Sequence, residues 1–487
     1  MGAIELWLGI YHVFLYFSTN YRLVFLLSPN YDEISRKAVR YIEDNYNKYI
    51  DLLGSLVEYK TVAAWGGDDM ARCADYLASI LRERGFKTQI KSGGGHPVVL
   101  AEVGSGSKSV LIYNHYDVQP PDPVELWESD PFKLSKRGDY LFARGVADNK
   151  GNIAARIGAI DAIIDSIDKL DLKIKFFIEG EEEIGSPTLE RVIQDNREWI
   201  RSDGGIWETG YIRRDDRLGI SLGFKGMLYI EIILKGASRD VHSGNAPLVP
   251  NPVWRMVRLL SLLKDEHGRI YVPGFYDDID PEFVRAGEEL VKKMDTAELE
   301  EMMKDLGLKS FVGGVSGYEA LRKLHLEPSL NVSGLYSGYT GKGSKTIVPS
   351  IAGAKIDIRP VPGQDPEKIL SNLKKYLKEN GFEDAQIVVH SMYRSGYTKP
   401  GEAIVRATVN AAIKAYGKEP SVSPLSGGSG PMYYFTNIAG TPMSGAGVGY
   451  YGSKAHAPNE NIRVRDFVNG MKHFALTLIE FSALARK

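Results

Sequence analysis

Phe176-Phe177-Ile178-Glu179-Gly180-Glu181-Glu182-Glu183-Ile184-Gly185-Ser186 carries an apolar run straight into four glutamates and closes on a Gly-Ser turn. The run 172–178 is short, apolar and rich in aromatic and β-branched residues, which reads as a buried strand. Carboxylates crowded at the end of such a strand repel one another. The loop therefore needs either water or cations. Working outward, a helix is predicted over 152–167, led by Gly145-Val146-Ala147-Asp148-Asn149-Lys150-Gly151. Before it, strands are predicted over 87–91, 98–103 and 109–113, the last running into Asn114-His115-Tyr116-Asp117. Amphipathic helices begin at Tyr31 and span 70–84. Strands alternating with helices argue an α/β fold with a mixed, mainly parallel sheet flanked by helices. Ligands of such sheets gather at the carboxyl ends of the strands.

Downstream the pattern changes. A strand over 227–235, a helix over 252–263 and a charged helical stretch over 280–306 come first. Strands over 330–335 and 353–359, a helix over 366–380 and a strand over 385–390 complete an α+β block. A helix over 402–416 and Gly-rich loops then resume the first pattern. The expected layout is a catalytic domain formed by 30–222 and 394–487, with 223–393 inserted into it. Residues 1–29 form an apolar N-terminal extension.

The 487 residues are 43% hydrophobic and 25% charged with a net charge of −2, so no global basic field favours nucleic acid. The single cysteine, Cys73, excludes an internal disulfide and a thiolate-rich zinc site, and it fits a reducing cytoplasm. The apolar stretch 4–17 has no basic leader, and Ser18-Thr19-Asn20 and Arg22 interrupt it short of the roughly 20 residues of a membrane span. It reads as a packing or contact segment, and membrane association is not expected.

Several residues could carry chemistry. His115 and Asp117, two apart at a strand end, point to one face, and a metal-binding imidazole wants a carboxylate on its second nitrogen. Asp148 alone would be an ordinary helix cap. Glu183, Glu208 and His456 also fall at strand ends or in Gly-rich loops. Two histidines and three carboxylates without a thiolate suit two neighbouring divalent ions, one carboxylate bridging them. Glu182 is then left as a general base. Gly447-Val448-Gly449-Tyr450-Tyr451-Gly452 matches a dinucleotide fingerprint literally, but no helix is predicted after it. Gly428-Ser429-Gly430 lacks the nucleophile elbow of a serine hydrolase.

These motifs, in order, resemble the metal-dependent aminoacylase/carboxypeptidase/dipeptidase family (the M20 peptidases), above all its cytosolic nonspecific dipeptidase and carnosinase branch. The resemblance rests on His115-Tyr116-Asp117-Val118-Gln119-Pro120, Trp127 with Asp130-Pro131-Phe132, and Arg144-Gly145 with Asp148-Asn149-Lys150-Gly151. Glu179-Gly180 with Glu182-Glu183, Arg239-Asp240-Val241-His242-Ser243-Gly244 and Ala455-His456 complete it. It implies a zinc-peptidase-like catalytic domain with an inserted lid and dimerisation domain. Two divalent ions per subunit are implied, Zn²⁺ first and Mn²⁺ or Co²⁺ as alternatives. It pairs His115 with Glu183 on one ion and His456 with Glu208 on the other, with Asp148 bridging through a cis peptide to Asn149. Asp117 would orient His115, Glu182 would move the proton, and His242 would steady the oxyanion in a neighbouring subunit. Arg359 would clamp a substrate carboxylate, with Asn331, Gly428 and Ser429 as further contacts. The implied activity is hydrolysis of dipeptides or short peptides by a cytoplasmic homodimer, the alternative being an N-acyl-amino-acid deacylase or desuccinylase. Two positions depart from the branch: Glu208 and Asn149 stand where Asp is common. In the glutamate run, Glu181 is expected to be solvated and Glu179 structural.

Overall fold

The computed structural model describes residues 29–166 and 171–484, so the apolar N-terminal stretch lies outside the described residues. Its larger sheet joins six strands: Lys87–Lys91 (β1), Val98–Val103 (β2), Ser109–His115 (β3), Lys173–Glu179 (β4), Gly204–Trp207 (β5) and, much later, one further strand. The order is β1-β2-β4-β3-β5 followed by Met443–Gly445. The last three neighbouring pairs are parallel and the first two antiparallel, which is the mixed sheet expected. Side chains alternate between two buried faces. Val110, Ile112, Ile174, Phe176 and Ile178 enter the core under the long helices, while Leu111, Tyr113 and Phe177 pack on the other side against Trp207, Phe435 and Met443. Burial on both faces explains why these strands read as continuous apolar runs.

The helix Lys150–Ser166 is buried almost all round, between Pro29–Val57 and Val464–Leu484. Alanines, isoleucines and glycines allow that close approach.

A second sheet is wholly antiparallel: Ser329–Ser337, Ile351–Arg359, Met227–Lys235 and Gln386–Tyr393, in that order. Its core has its own residues, among them Leu228, Ile230, Ile356, Ile358 and Leu373. The helices Pro252–Leu263 and Pro366–Glu379 supply part of that core. Each begins with proline after a capping side chain, Asn251 accepting from Val253 N at 2.9 Å and Asp365 accepting from Glu367 N at 3.0 Å. The chain crosses between the two sheets on paired strands. Gly223–Lys225 pairs antiparallel with Gly396–Tyr397 and parallel with Ser426–Ser429.

One expectation needs correction. The charged stretch 280–306 is two helices, Pro281–Val291 and Ala297–Asp305, because the Asp295 carboxylate accepts from Ala297 N (2.9 Å) and starts a new helix. With the further helix Gly317–Leu326 they form a separate core that includes Leu425. Arg213 pairs with Glu298 at 2.9 Å and Arg214 with Glu301 at 3.1 Å, tying this block to the hairpin after β5. Among the described residues no helix is long and apolar enough to cross a membrane.

Gly158 marks where the central helix meets its neighbours: a Cβ there would lie 2.7 Å from Met471 Sδ and 2.8 Å from Tyr49 Cγ. The Tyr49 hydroxyl donates to Asp161 (2.9 Å), so the ring cannot readily move aside. Gly158→Val should therefore lower stability by about 1–3 kcal/mol through overpacking, read as a reduced urea midpoint; an unchanged midpoint would show that the contact is not tight.

Candidate metal centre

The carboxyl ends of β3, β4 and β5 deliver the side chains that the sequence singled out. His115 is the last residue of β3 and is fully buried. Glu208 follows β5 directly, and β5 lies next to β3. Glu182 and Glu183 sit on a short 3₁₀ turn, Glu182–Ile184, after β4. Asp148 precedes the central helix, and its peptide bond to Asn149 is cis, as expected. His456 comes from the loop before the last helix, with a positive φ of 64°.

Asp148 is the hub. Its Oδ1 lies 3.0 Å from His115 Nε2, and its Oδ2 lies 3.1 Å from His456 Nε2. His115 Nε2 is also 3.6 Å from Glu208 Oε2, and His456 Nε2 is 3.2 Å from Glu183 Oε2. Two triplets result, His115–Asp148–Glu208 and Asp148–Glu183–His456, each with ligand atoms within 4.8 Å of one another. The pairing expected from the sequence is thus exchanged. β3 lies between β4 and β5, but Glu208 follows the end of β5 directly, whereas Glu183 stands four residues beyond the end of β4, on the turn Glu182–Ile184, where it meets His456.

The electrostatics ask for cations. Burial pushes the Asp148 carboxyl upward, but hydrogen bonds from His115 and His456 outweigh it and hold it well below the usual range. Burial lifts Glu182 well above the ordinary glutamate value, and the charges of Glu208, Glu183 and Asp148 add to this while His115 opposes it. Hydrogen bonds to Asp148 and Glu183 raise His456 to about 10. Without a bound cation the cluster balances its charge only by holding protons. Glu183 Oε1 is buried with no hydrogen-bond partner among the described residues. An orphaned carboxylate oxygen within a set of imidazole and carboxylate donors fits a divalent ion.

Around the cluster, Asp117 lies with Oδ1 3.3 Å from His115 Nδ1, and its carboxylate accepts from Glu182 N (3.3 Å) and Glu183 N (2.9 Å). Gln119 Nε2 donates to Glu183 Oε2 at 2.9 Å. Glu460 is completely buried and accepts from Arg144 Nη1 (2.7 Å), Gly145 N (2.9 Å), Ala147 N (2.8 Å) and Asp148 N (3.1 Å). This clamps the Asp148 loop to the loop that carries His456. Nothing in the sequence singles out Glu460 beyond an acid two residues after Pro458.

Glu181 is not solvated, contrary to expectation. It is 4% exposed and accepts from His96 N (2.9 Å), Thr188 N (3.3 Å) and the Thr188 hydroxyl. His96 supplies one donor from 85 residues away, and Thr188, seven residues on, supplies the other two. Glu179 is buried as expected, accepting from the Tyr113 hydroxyl (2.6 Å) and Ser186 Oγ (3.1 Å), and burial raises its carboxyl to about 8.

The expected substrate residues also meet. Arg359 Nη1 donates to Ser429 Oγ (3.0 Å), and Arg359 Nε and Asn331 Nδ2 both donate to Asp357, at 3.4 and 2.9 Å. Gly428 N donates to Ser426 Oγ at 3.2 Å in the same strand. Tyr393, which the sequence reading missed, stands within electrostatic reach of both Glu182 and Arg359. His242 does not join the cluster. It is exposed, on the short strand Val241–His242, and its Nδ1 accepts from Gly244 N at 3.0 Å.

Known proteins agree with this architecture. The profile of Peptidase family M20/M25/M40 matches residues 111–480. A solved M20 family metallo-carboxypeptidase from Sulfolobus solfataricus is 39% identical, with a TM-score of 0.82 over 89% of this chain and 99% of that one. Beta-Ala-His dipeptidase of Rattus norvegicus is 27% identical over 94% of this chain and 98% of its own length. Cys-Gly metallodipeptidase DUG1 of Saccharomyces cerevisiae is 28% identical over 79% of this chain and 82% of its own.

Binding of divalent ions at the cluster should stabilise the fold. Dialysis against EDTA should lower Tm, and Zn²⁺ or Mn²⁺ should restore it, by about 2.7 kcal/mol per site when the ion stands at 100 times its Kd. A Tm indifferent to both treatments would exclude the cluster as a cation site.

Proposed function

Because the chain belongs to peptidase family M20/M25/M40, we propose that it is a dinuclear metallohydrolase cleaving dipeptides or short peptides with a free C-terminal carboxylate. The observation that carries this reading is Asp148, whose two oxygens face His115 and His456 separately beside a glutamate outside both triplets. Ions held there, Zn²⁺ or in its place Mn²⁺ or Co²⁺, supply a lowered water pKa and polarisation of the scissile carbonyl. The chain's own residues do the rest. His115, Asp148 and Glu208 would hold one ion and Asp148, Glu183 and His456 the other. Asp117 fixes the His115 ring through Nδ1 and draws the glutamate turn against it through two backbone amides. Glu182 accepts the proton of the attacking water and returns it to the leaving amine. It lies beside the two triplets without belonging to either, which leaves its carboxylate free for that proton.

Arg359 anchors the substrate's free carboxylate, because its guanidinium presents a planar fork of donors. Ser429 Oγ, 3.0 Å from Arg359 Nη1, holds the fork in place, and Asn331 and Gly428 border it. His242 lies outside both triplets and is exposed, which supports a role in a partner's site within a homodimer formed through the inserted segment 223–393.

Two experiments test this. An apoenzyme reloaded with Zn²⁺ or Mn²⁺ should hydrolyse dipeptides and leave matched N-acyl amino acids intact; the opposite preference would favour the deacylase alternative. Glu182→Gln should keep its bound metal while losing roughly 10²–10⁴-fold in kcat, the range for a general base. Activity within tenfold of wild type would remove Glu182 from that role.

A further inference from the structure

Behind the metal centre lies a chain of hydrogen bonds that no expectation anticipated. Arg156, on the central helix, is 2% exposed and has no carboxylate hydrogen-bonded to it among the described residues. Its guanidinium donates to Tyr113 O (2.6 Å), Trp207 O (2.5 Å) and Ala446 O (2.7 Å). These carbonyls lie at or just past the carboxyl ends of three neighbouring strands: β3, which carries His115, β5, which leads into Glu208, and Met443–Gly445. The same guanidinium donates to Asn114 Oδ1 at 2.7 Å. Asn114 Nδ2 donates to Asn149 Oδ1, and Asn149 Nδ2 donates to Glu208 Oε2 (2.7 Å) and to Glu208 O (3.0 Å). Asn114 and Asn149 are fully buried, so water cannot replace any of these partners.

The direction of this relay is fixed at both ends. A guanidinium only donates, and an ionised carboxylate only accepts. Asn114 must therefore turn its oxygen to Arg156 and its amide to Asn149. Asn149 must in turn aim its own amide at Glu208. Either asparagine could bond in two orientations if isolated, but between these ends only one satisfies every group.

We propose that Asn149 is a positioning residue for Glu208: with Asn114, it transmits the donor polarity of Arg156 to the carboxylate and fixes its rotamer for the ion beside His115. The inference rests on the dinuclear reading above. It gives a role to Asn149, which the sequence marked only as a departure from Asp. An aspartate at 149 could not donate to Glu208 and would set a second carboxylate against it. Asp148, the neighbouring residue in sequence, gains nothing from this relay, and Glu183 and His456 lie outside it. The effect should therefore fall on one triplet only.

The test is equilibrium dialysis against Zn²⁺ and Mn²⁺ with bound metal counted by mass spectrometry. Wild type, Asn149→Asp, Asn114→Asp, Glu208→Gln and the Asn149→Asp/Glu208→Gln double variant are compared. Asn114→Asp keeps an acceptor for Arg156 but removes the donor to Asn149, so it interrupts the relay without touching a ligand. Wild type should bind two ions. Asn149→Asp should weaken one of them by roughly 10–100-fold, as expected for a ligand's supporting partner, and leave the other unchanged. Asn114→Asp should weaken the same ion. With Glu208→Gln in place, Asn149→Asp should add little further loss, because the two act through one contact. Equal weakening of both ions, full additivity in the double variant, or wild-type affinity in Asn149→Asp would each overturn the proposal. Two ions in wild type with no response in Asn149→Asp would sink the relay alone; no ions in wild type would sink the dinuclear reading with it.

Discussion

The candidate metal centre depends on one carboxylate shared between two imidazoles. Asp148 lies 3.0 Å from His115 and 3.1 Å from His456 through different oxygens, with three further carboxylates close by. In a largely buried pocket such a cluster is unfavourable unless positive charge offsets it. The surrounding structure meets that demand by geometry. Glu460 fixes the Asp148 loop, Asp117 fixes the glutamate turn, and the ends of adjacent parallel strands fix His115 and Glu208. Each support is itself buried and hydrogen-bonded, as a precise polar site requires.

The antiparallel sheet contributes a different chemistry. Arg359 ends one of its strands, yet it bonds to Ser429, which belongs to the three short strands where the chain crosses between the sheets. The junction of the two sheets thus carries the Arg359 guanidinium. Tyr393 reports the same proximity, since the charges of Glu182 and Arg359 act on it in opposite directions.

Much of this was legible in the chain itself. Strands such as 87–91 and 98–103 appear at the expected residues, because local turn signals bound them. The helices at 252 and 366 announce themselves through an asparagine or aspartate cap followed by proline. His115, Asp148, Glu182, Glu183, Glu208 and His456 were nameable because loops at strand ends carry few residues of this kind without a reason. The division of 280–306 into two helices was not anticipated, although Asp295 and Thr296 held the signal for a new start. Glu181 was misread because its hydrogen-bond donors are residues 96 and 188.

The amino-acid sequence alone determined the strand–helix alternation, the donor set and its chemical bias toward divalent ions, since these follow from local periodicity and residue type. Tertiary structure alone decided which histidine meets which glutamate, because β3 has both β4 and β5 as neighbours and the pairing depends on how far past each strand end the carboxylate sits: Glu208 follows β5 directly, and Glu183 lies on the turn after β4 beside His456. It also decided that Asn149 donates to Glu208 and that Arg156 stands at the head of that relay. A buried hydrogen bond has a direction only when both its partners are in place, and residues 114, 149, 156 and 208 become partners only in the fold.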